Sequence, residues 1–120
     1  MKNLILIRGL PGSVKTTLAK NMISARGGEA TFHFEADQYF YNDGVYEFNS
    51  SKLKEAHDLC QYNTSLMLRS YSDVTVIVSN TFTTIKEMEY YFDLEYDYLE
   101  IIEERSLNQF MVSLKKRLKR

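Results

Sequence analysis

The residues whose types and spacing could do chemistry lie near the start of the chain, in Gly9-Leu10-Pro11-Gly12-Ser13-Val14-Lys15-Thr16-Thr17. The stretch follows the phosphate-binding loop pattern (Gly, four free positions, Gly, Lys, then Ser or Thr) at every position but one: Val14 stands where the second glycine belongs. Such a loop works because successive backbone N–H groups curl around phosphate oxygens while the following helix turns its positive end to them. Gly9, Pro11, Gly12, Ser13, Val14, Lys15, Thr16 and Thr17 are therefore the expected nucleotide-binding residues. Lys15 would reach the β- and γ-phosphates of ATP, and the Thr16 hydroxyl would hold Mg²⁺.

Val14 bears on that expectation in two ways. A branched side chain resists any geometry with φ > 0, and its methyls crowd space that a phosphate should fill. Strain of this kind costs about 1–3 kcal/mol. At 1.4 kcal/mol per decade, that is about a ten- to hundredfold loss of affinity. Weak or absent ATP binding thus stands beside the intact site as an expectation.

Further candidates follow the strands. Asp37 comes where a second strand ends, at the sheet edge where open α/β sheets bind ligands, and a carboxylate there can take a proton from an attacking hydroxyl. The same residue could equally cap the following turn. Glu35, two residues earlier, is the less favoured base and is expected on the same side of the strand. Ser79-Asn80-Thr81 follows the third strand, where phosphate-loop enzymes usually place an acid supporting Mg²⁺. No carboxylate is present there, and Ser79 or Asn80 would have to act through water. Thr81, Thr83 and Thr84 read as helix caps. His57 and Cys60, three apart on an apolar face, lack a partner pair for zinc and read as core. Tyr39, Phe40, Tyr41, Tyr46 and Phe48 form an aromatic cluster that packs or stacks on a nucleobase. Arg105 falls where related folds carry a mobile lid whose arginines neutralise the transferring phosphoryl group, and Arg8 is a weaker candidate for that role.

The elements that must position these groups alternate strand and helix, which predicts an α/β fold with a largely parallel sheet of about four strands flanked by helices. Leu4-Ile5-Leu6-Ile7 reads as the first strand, and an amphipathic helix from about Thr17 ends at Gly27-Gly28. Thr31 to Glu35 alternates as the second strand, and Asn42-Asp43-Gly44 is a turn signal. A helix is expected over Ser51 to Arg69, capped by Ser50 or Ser51, with Leu53, Ala56, His57, Cys60, Thr64 and Met67 on one stripe. Val74 to Val78 is a β-branched run of buried parallel-strand type. Helix returns over Ile85 to Leu94, strand over Tyr98 to Ile102. Leu107, Phe110, Met111, Leu114 and Leu118 space a last amphipathic helix.

The 120 residues suit one domain, spanning 1–120, and the 44% apolar and 26% charged content is that of a globular chain. No apolar run approaches the roughly 20 residues that cross a bilayer, and the N-terminal run is too short for a signal peptide. A cytoplasmic protein is expected, and lone Cys60 fits a reducing compartment. A net charge of −1 argues against coating nucleic acid by charge alone. Glu87 to Glu104 carries acids and no base, whereas Lys115, Lys116, Arg117, Lys119 and Arg120 make the end of the sequence basic.

With the phosphate-loop segment, Glu35-Ala36-Asp37-Gln38-Tyr39-Phe40 and Val76-Ile77-Val78-Ser79-Asn80-Thr81, the chain resembles the small P-loop ATPases and kinases related to phage-type polynucleotide kinase. The resemblance extends through Asp43-Gly44-Val45-Tyr46, Glu55-Ala56-His57 and Thr83 to Met88. It implies a three-layer P-loop NTPase fold of the kinase type, with ATP and Mg²⁺ as cofactors. It further implies Asp37 as general base, with Lys15 and Thr16 as phosphate and metal residues. Three departures stand out: Val14 for the loop glycine, Asn80 for an aspartate, and a lid shortened between Ile102 and Leu107. The implied activity is transfer of the ATP γ-phosphoryl to a hydroxyl of a nucleotide, a nucleic-acid end or a small molecule. The alternative is a catalytically degenerate P-loop domain, of the phage-encoded inhibitor or regulatory kind, that binds a protein partner.

Overall fold

The computed structural model describes residues 1–10 and 14–104, with the backbone of 112–117. Strand β1 (Lys2–Gly9) leads into helix α1 (Lys15–Arg26), strand β2 (Thr31–Phe34) and a 3-10 turn (Ala36–Phe40). A small hairpin, β3 (Tyr41–Asn42) and β4 (Val45–Tyr46), precedes the long helix α2 (Leu53–Ser70). Strand β5 (Val74–Asn80), a 3-10 turn (Ile85–Met88), the short helix α3 (Glu89–Phe92), β6 (Tyr98–Glu104) and β7 (Val112–Arg117) follow.

Five strands form one sheet in the order β2-β5-β1-β6-β7. The first four are parallel, and β7 runs antiparallel to β6. Central β1 and β5 are buried on both faces, which is why Leu4 to Ile7 and Val74 to Val78 are near-continuous apolar runs and do not alternate. Ile5, Ile7, Ile77 and Ile102 meet α1 through Ala19, with Leu18, Met22 and Ile23 packed around it. On the opposite face Leu4, Leu6, Val76, Val78, Leu99 and Ile101 meet α2 through Cys60 and Leu68, the Ile85–Met88 3-10 turn through Met88 and α3 through Tyr91. Helices on both faces make this a three-layer α/β protein. Among the described residues no helix is long and apolar enough to cross a membrane.

The hairpin signal is met by a left-handed pair, Asp43 at φ 51° and Gly44 at φ 82°, the primed turn that two-residue β-hairpins favour. Several sequence expectations are corrected. The last amphipathic helix is not formed over 112–117, which is strand. Val112 and Leu114 also alternate with polar neighbours, and the free edge of β6 supplies a ladder that an isolated helix would lack. Leu107, Phe110, Met111 and Leu118 lie outside the described residues. The helix expected from Ile85 is a 3-10 turn that becomes α-helical only at Glu89. The cap before α2 is Asn49, whose Oδ1 accepts from the Ser51 N–H at 3.0 Å and opens a 3-10 turn (Ser50–Lys52). The buried stripe of α2 is Ala56, Cys60, Thr64 and Leu68, leaving Leu53 exposed.

Candidate functional site

The carboxyl ends of β1, β2 and β5 open into a cavity of about 630 Å³. Lys15 and Thr16 enter it from the first turn of α1, Glu35 and Asp37 from the end of β2 and the turn after it, and Ser79 and Asn80 from the end of β5. The parallel register makes this convergence possible, because β5 lies between β1 and β2 and all three end at the same edge.

Lys15 folds back over the end of β1, donating from Nζ to the carbonyls of Gly9 at 3.1 Å and Leu10 at 3.0 Å. Burial pushes its ammonium below the ordinary lysine range, and the carboxylates of Glu35, Asp37 and Glu104 act against that shift. Val14 caps α1 at φ −89°, ψ 32°, with its side chain exposed and its carbonyl accepting the first helical bond from Leu18 N at 2.9 Å. The backbone strain expected of a branched residue at positive φ is therefore absent at Val14. Thr17 lies on the exposed side of α1 and does not line the cavity. Pro11, Gly12, Ser13 and Arg105 lie outside the described residues.

Glu35 is the centre of the polar network. Its Oε2 accepts from Thr16 Oγ1 at 2.9 Å and from Ser79 Oγ at 3.0 Å. His33 Nε2 stands 2.6 Å from the same Ser79 oxygen and 3.7 Å from Glu35 Oε2. Ser79 has one proton and directs it to Glu35, so it accepts from His33, which fixes the Nε2–H tautomer. Burial lowers the His33 pKa below the ordinary 6.5, with Glu35 opposing and Lys20 reinforcing the shift. The result is a chain of hydroxyls and imidazole converging on one carboxylate.

Asp37 is not on β2, which ends at Phe34. It sits in the 3-10 turn, exposed, with Tyr46 Oη donating to its Oδ1 at 3.3 Å. The turn itself is pinned by Asn80, whose buried Oδ1 accepts from the Ala36 N–H at 2.8 Å while Nδ2 reaches Cys60 Sγ at 3.7 Å. Asn80 thus has a structural task, and Ser79 is the polar residue of this strand that joins the Glu35 network. Cys60 is buried, and burial pushes its thiol up, as expected of an inert core cysteine. His57 is half-buried and lines the cavity, where the sequence placed it in the core. Thr84 is a cap, accepting from Glu87 N at 3.4 Å, while Thr83 donates from N and Oγ1 to the Glu87 carboxylate at 2.6 and 2.9 Å. Arg8 stands 3.6 Å from Glu103 and does not line the cavity.

The aromatic cluster is built on a buried ring. Phe40 packs with Ala36 and Ala56, and Phe48 and Tyr46 rest on it with ring centroids 5.0 and 6.3 Å away. Tyr46 and Phe48 both line the cavity, whereas Tyr41, exposed and packed on Tyr46, does not. The sequence pointed to this cluster but not to the network on Glu35. The signal for Glu35 was its place directly after an alternating strand, next to the crevice.

The donor set suits magnesium: Thr16 Oγ1, Ser79 Oγ and Glu35 Oε2 are hard oxygens gathered at one point. Among the described residues no group of three or more His, Cys, Asp or Glu could hold a metal, so phosphates and waters would have to complete a magnesium shell.

A mostly parallel sheet between two helical layers, with its polar residues gathered outside the carboxyl ends of the strands, defines the class as three-layer α/β. Within it, the chain shares its fold with a chain of the solved Pnkp1/Rnl/Hen1 complex, at a TM-score of 0.62 and 15% identity, over 99% of this chain and 47% of that one. It is also similar to human NEDD4-binding protein 2, 34% identical over 91 residues, which is 76% of this chain and 5% of that protein. No protein-family model matches.

Proposed function

We propose that this chain is a P-loop domain of the kinase type that binds ATP·Mg²⁺ and transfers the γ-phosphoryl to an acceptor hydroxyl. The observation that carries the reading is the convergence of Lys15, Thr16, Glu35 and Asp37 on one cavity at the carboxyl ends of parallel strands. The fold shared with a chain of the Pnkp1/Rnl/Hen1 complex and the sequence resemblance to phage-type polynucleotide kinases support it.

Lys15 would leave the carbonyls of Gly9 and Leu10 to neutralise phosphate charge, and Thr16, with Glu35 behind it, would hold the metal. Bound ATP·Mg²⁺ would supply the transferable phosphoryl and a stabilised leaving group. Asp37, exposed on the cavity wall, takes the proton of the acceptor hydroxyl as the acceptor oxygen bonds to phosphorus and the bond to the ADP oxygen breaks. The Tyr46 hydroxyl bond at 3.3 Å orients that carboxylate.

The test is an ATP·Mg²⁺ titration of this chain and of Val14→Gly, followed by single-turnover transfer to hydroxyl acceptors. Binding in the wild type, about tenfold or more tighter in the glycine variant, is expected if Val14 only crowds the phosphates. Absence of ATP binding in both proteins would refute the reading. A second reading, a degenerate domain that binds a protein, draws on Tyr41 and Val45, which are exposed on the hairpin and do not line the cavity. A stoichiometric complex by light scattering, formed without ATP, would favour it.

A further inference from the structure

The cavity has two unlike halves. One holds Lys15, Thr16, Glu35 and Ser79. The other is walled by Tyr46, Phe48 and Leu53, with His57 and Asp37 beside them. The aromatic wall is solvent-exposed yet fixed in place. Tyr46 and Phe48 lean on buried Phe40, and the Tyr46 hydroxyl is tied to Asp37. Exposed rings that are held rigidly suit a flat ligand, since little side-chain freedom remains to be lost on binding.

The charge of this half restricts the ligand further. Among the described residues Lys15 is the sole lysine or arginine lining the cavity, and it belongs to the other half. Lys52 and Lys54, at the nearby start of α2, are paired with Glu55 and Asp58. A nucleic-acid strand gains most of its affinity from cations placed against its phosphates. Asp37, bonded to the Tyr46 hydroxyl, presents a carboxylate instead, which repels them.

We infer that this half of the cavity takes an uncharged, flat, hydroxyl-bearing molecule of nucleoside type, and that a phosphate-bearing strand is excluded from it. The inference rests on the kinase reading for its catalytic sense, since the hydroxyl would be presented to Asp37. The ring lies against Tyr46 and Phe48, and Leu53 closes the apolar side.

The experiment is an NMR titration of the chain with thymidine, thymidine 3′-monophosphate and a short 5′-hydroxyl oligonucleotide at two salt concentrations. It is repeated for Tyr46→Ala and Phe48→Ala, with circular dichroism to verify folding and an ATP·Mg²⁺ titration alongside. Thymidine is expected to shift resonances of Tyr46 and Phe48, and each variant to lose about tenfold or more in affinity, as for a lost stacking contact. The 3′-phosphate is expected to weaken binding by about tenfold or more through like-charge repulsion. Tighter binding of the monophosphate or the oligonucleotide, with steep loss in salt, would overturn the inference. So would failure of thymidine to bind, or equal binding by folded variants. Thymidine binding in a chain that does not bind ATP would overturn the kinase reading and leave this one standing. ATP binding without thymidine binding would do the reverse.

Discussion

Replacing Asn80 by alanine should release the turn that carries Asp37. The Asn80 side chain is almost fully buried, and its Oδ1 is the partner of the Ala36 N–H at 2.8 Å. Alanine leaves that buried donor unsatisfied, at a cost of about 1–3 kcal/mol. The 3.7 Å contact to Cys60 Sγ is long and weak, and its loss with the small void adds about 1 kcal/mol or less. A destabilisation of about 2–3 kcal/mol lowers the melting temperature of a 120-residue domain by about 10 °C. Exchange of the Ala36 amide should quicken by about thirty- to a hundredfold, at 1.4 kcal/mol per decade. Thermal unfolding and residue-resolved hydrogen exchange read the two effects separately. Because Asp37 follows Ala36 directly, phosphoryl transfer should fall while ATP affinity holds. A variant that melts within 2 °C or so of wild type, with an unchanged Ala36 amide, would show that the buried bond does not hold the turn.

Asp37→Asn should lower single-turnover transfer by about 10²- to 10⁴-fold with ATP affinity unchanged, and an unaltered rate would remove Asp37 as base. His33 has a folded pKa below 6.5, so the unfolded chain takes up its proton first as pH falls. Its contribution is fully present above pH 6.5 and is lost as pH drops toward the lowered value, with a slope of at most about 1.4 kcal/mol per pH unit. Denaturant midpoints measured from pH 7 downward should show that slope, and His33→Gln should flatten it. Gly44→Ala should cost about 1–2 kcal/mol through its φ of 82° alone, since an added Cβ meets nothing within 4 Å; urea unfolding checks this.

The apolar runs of β1 and β5 were legible in the sequence because strands buried on both faces favour near-continuous apolar side chains. Asn42-Asp43-Gly44 was legible because few residues tolerate the left-handed turn. That Lys15, Thr16 and Asp37 line one cavity was foreshadowed by the loop motif and by the place of Asp37 after the second strand. The hydrogen-bond network on Glu35 was not legible, because its partners Thr16 and Ser79 lie 19 and 44 residues away in sequence and meet it only when β5 is inserted between β1 and β2. Asn80 was read as a place for metal chemistry, and its bond to the Ala36 amide is equally non-local. The strand over 112–117 escaped notice because its apolar spacing also satisfies a helix, and the free edge of β6 decides between them.

The two helical layers grip the sheet unequally. Helix α2 sinks four side chains into the interior, whereas α1 sinks only Ala19, with Leu18, Met22 and Ile23 half-covered. The helix whose first turn carries Lys15 and Thr16 is thus the lightly moored one, and local opening should begin there. A ligand spanning Lys15 and Glu35 would fasten this layer to β2, so limited proteolysis within α1 should slow on binding well before the resistance of α2 changes.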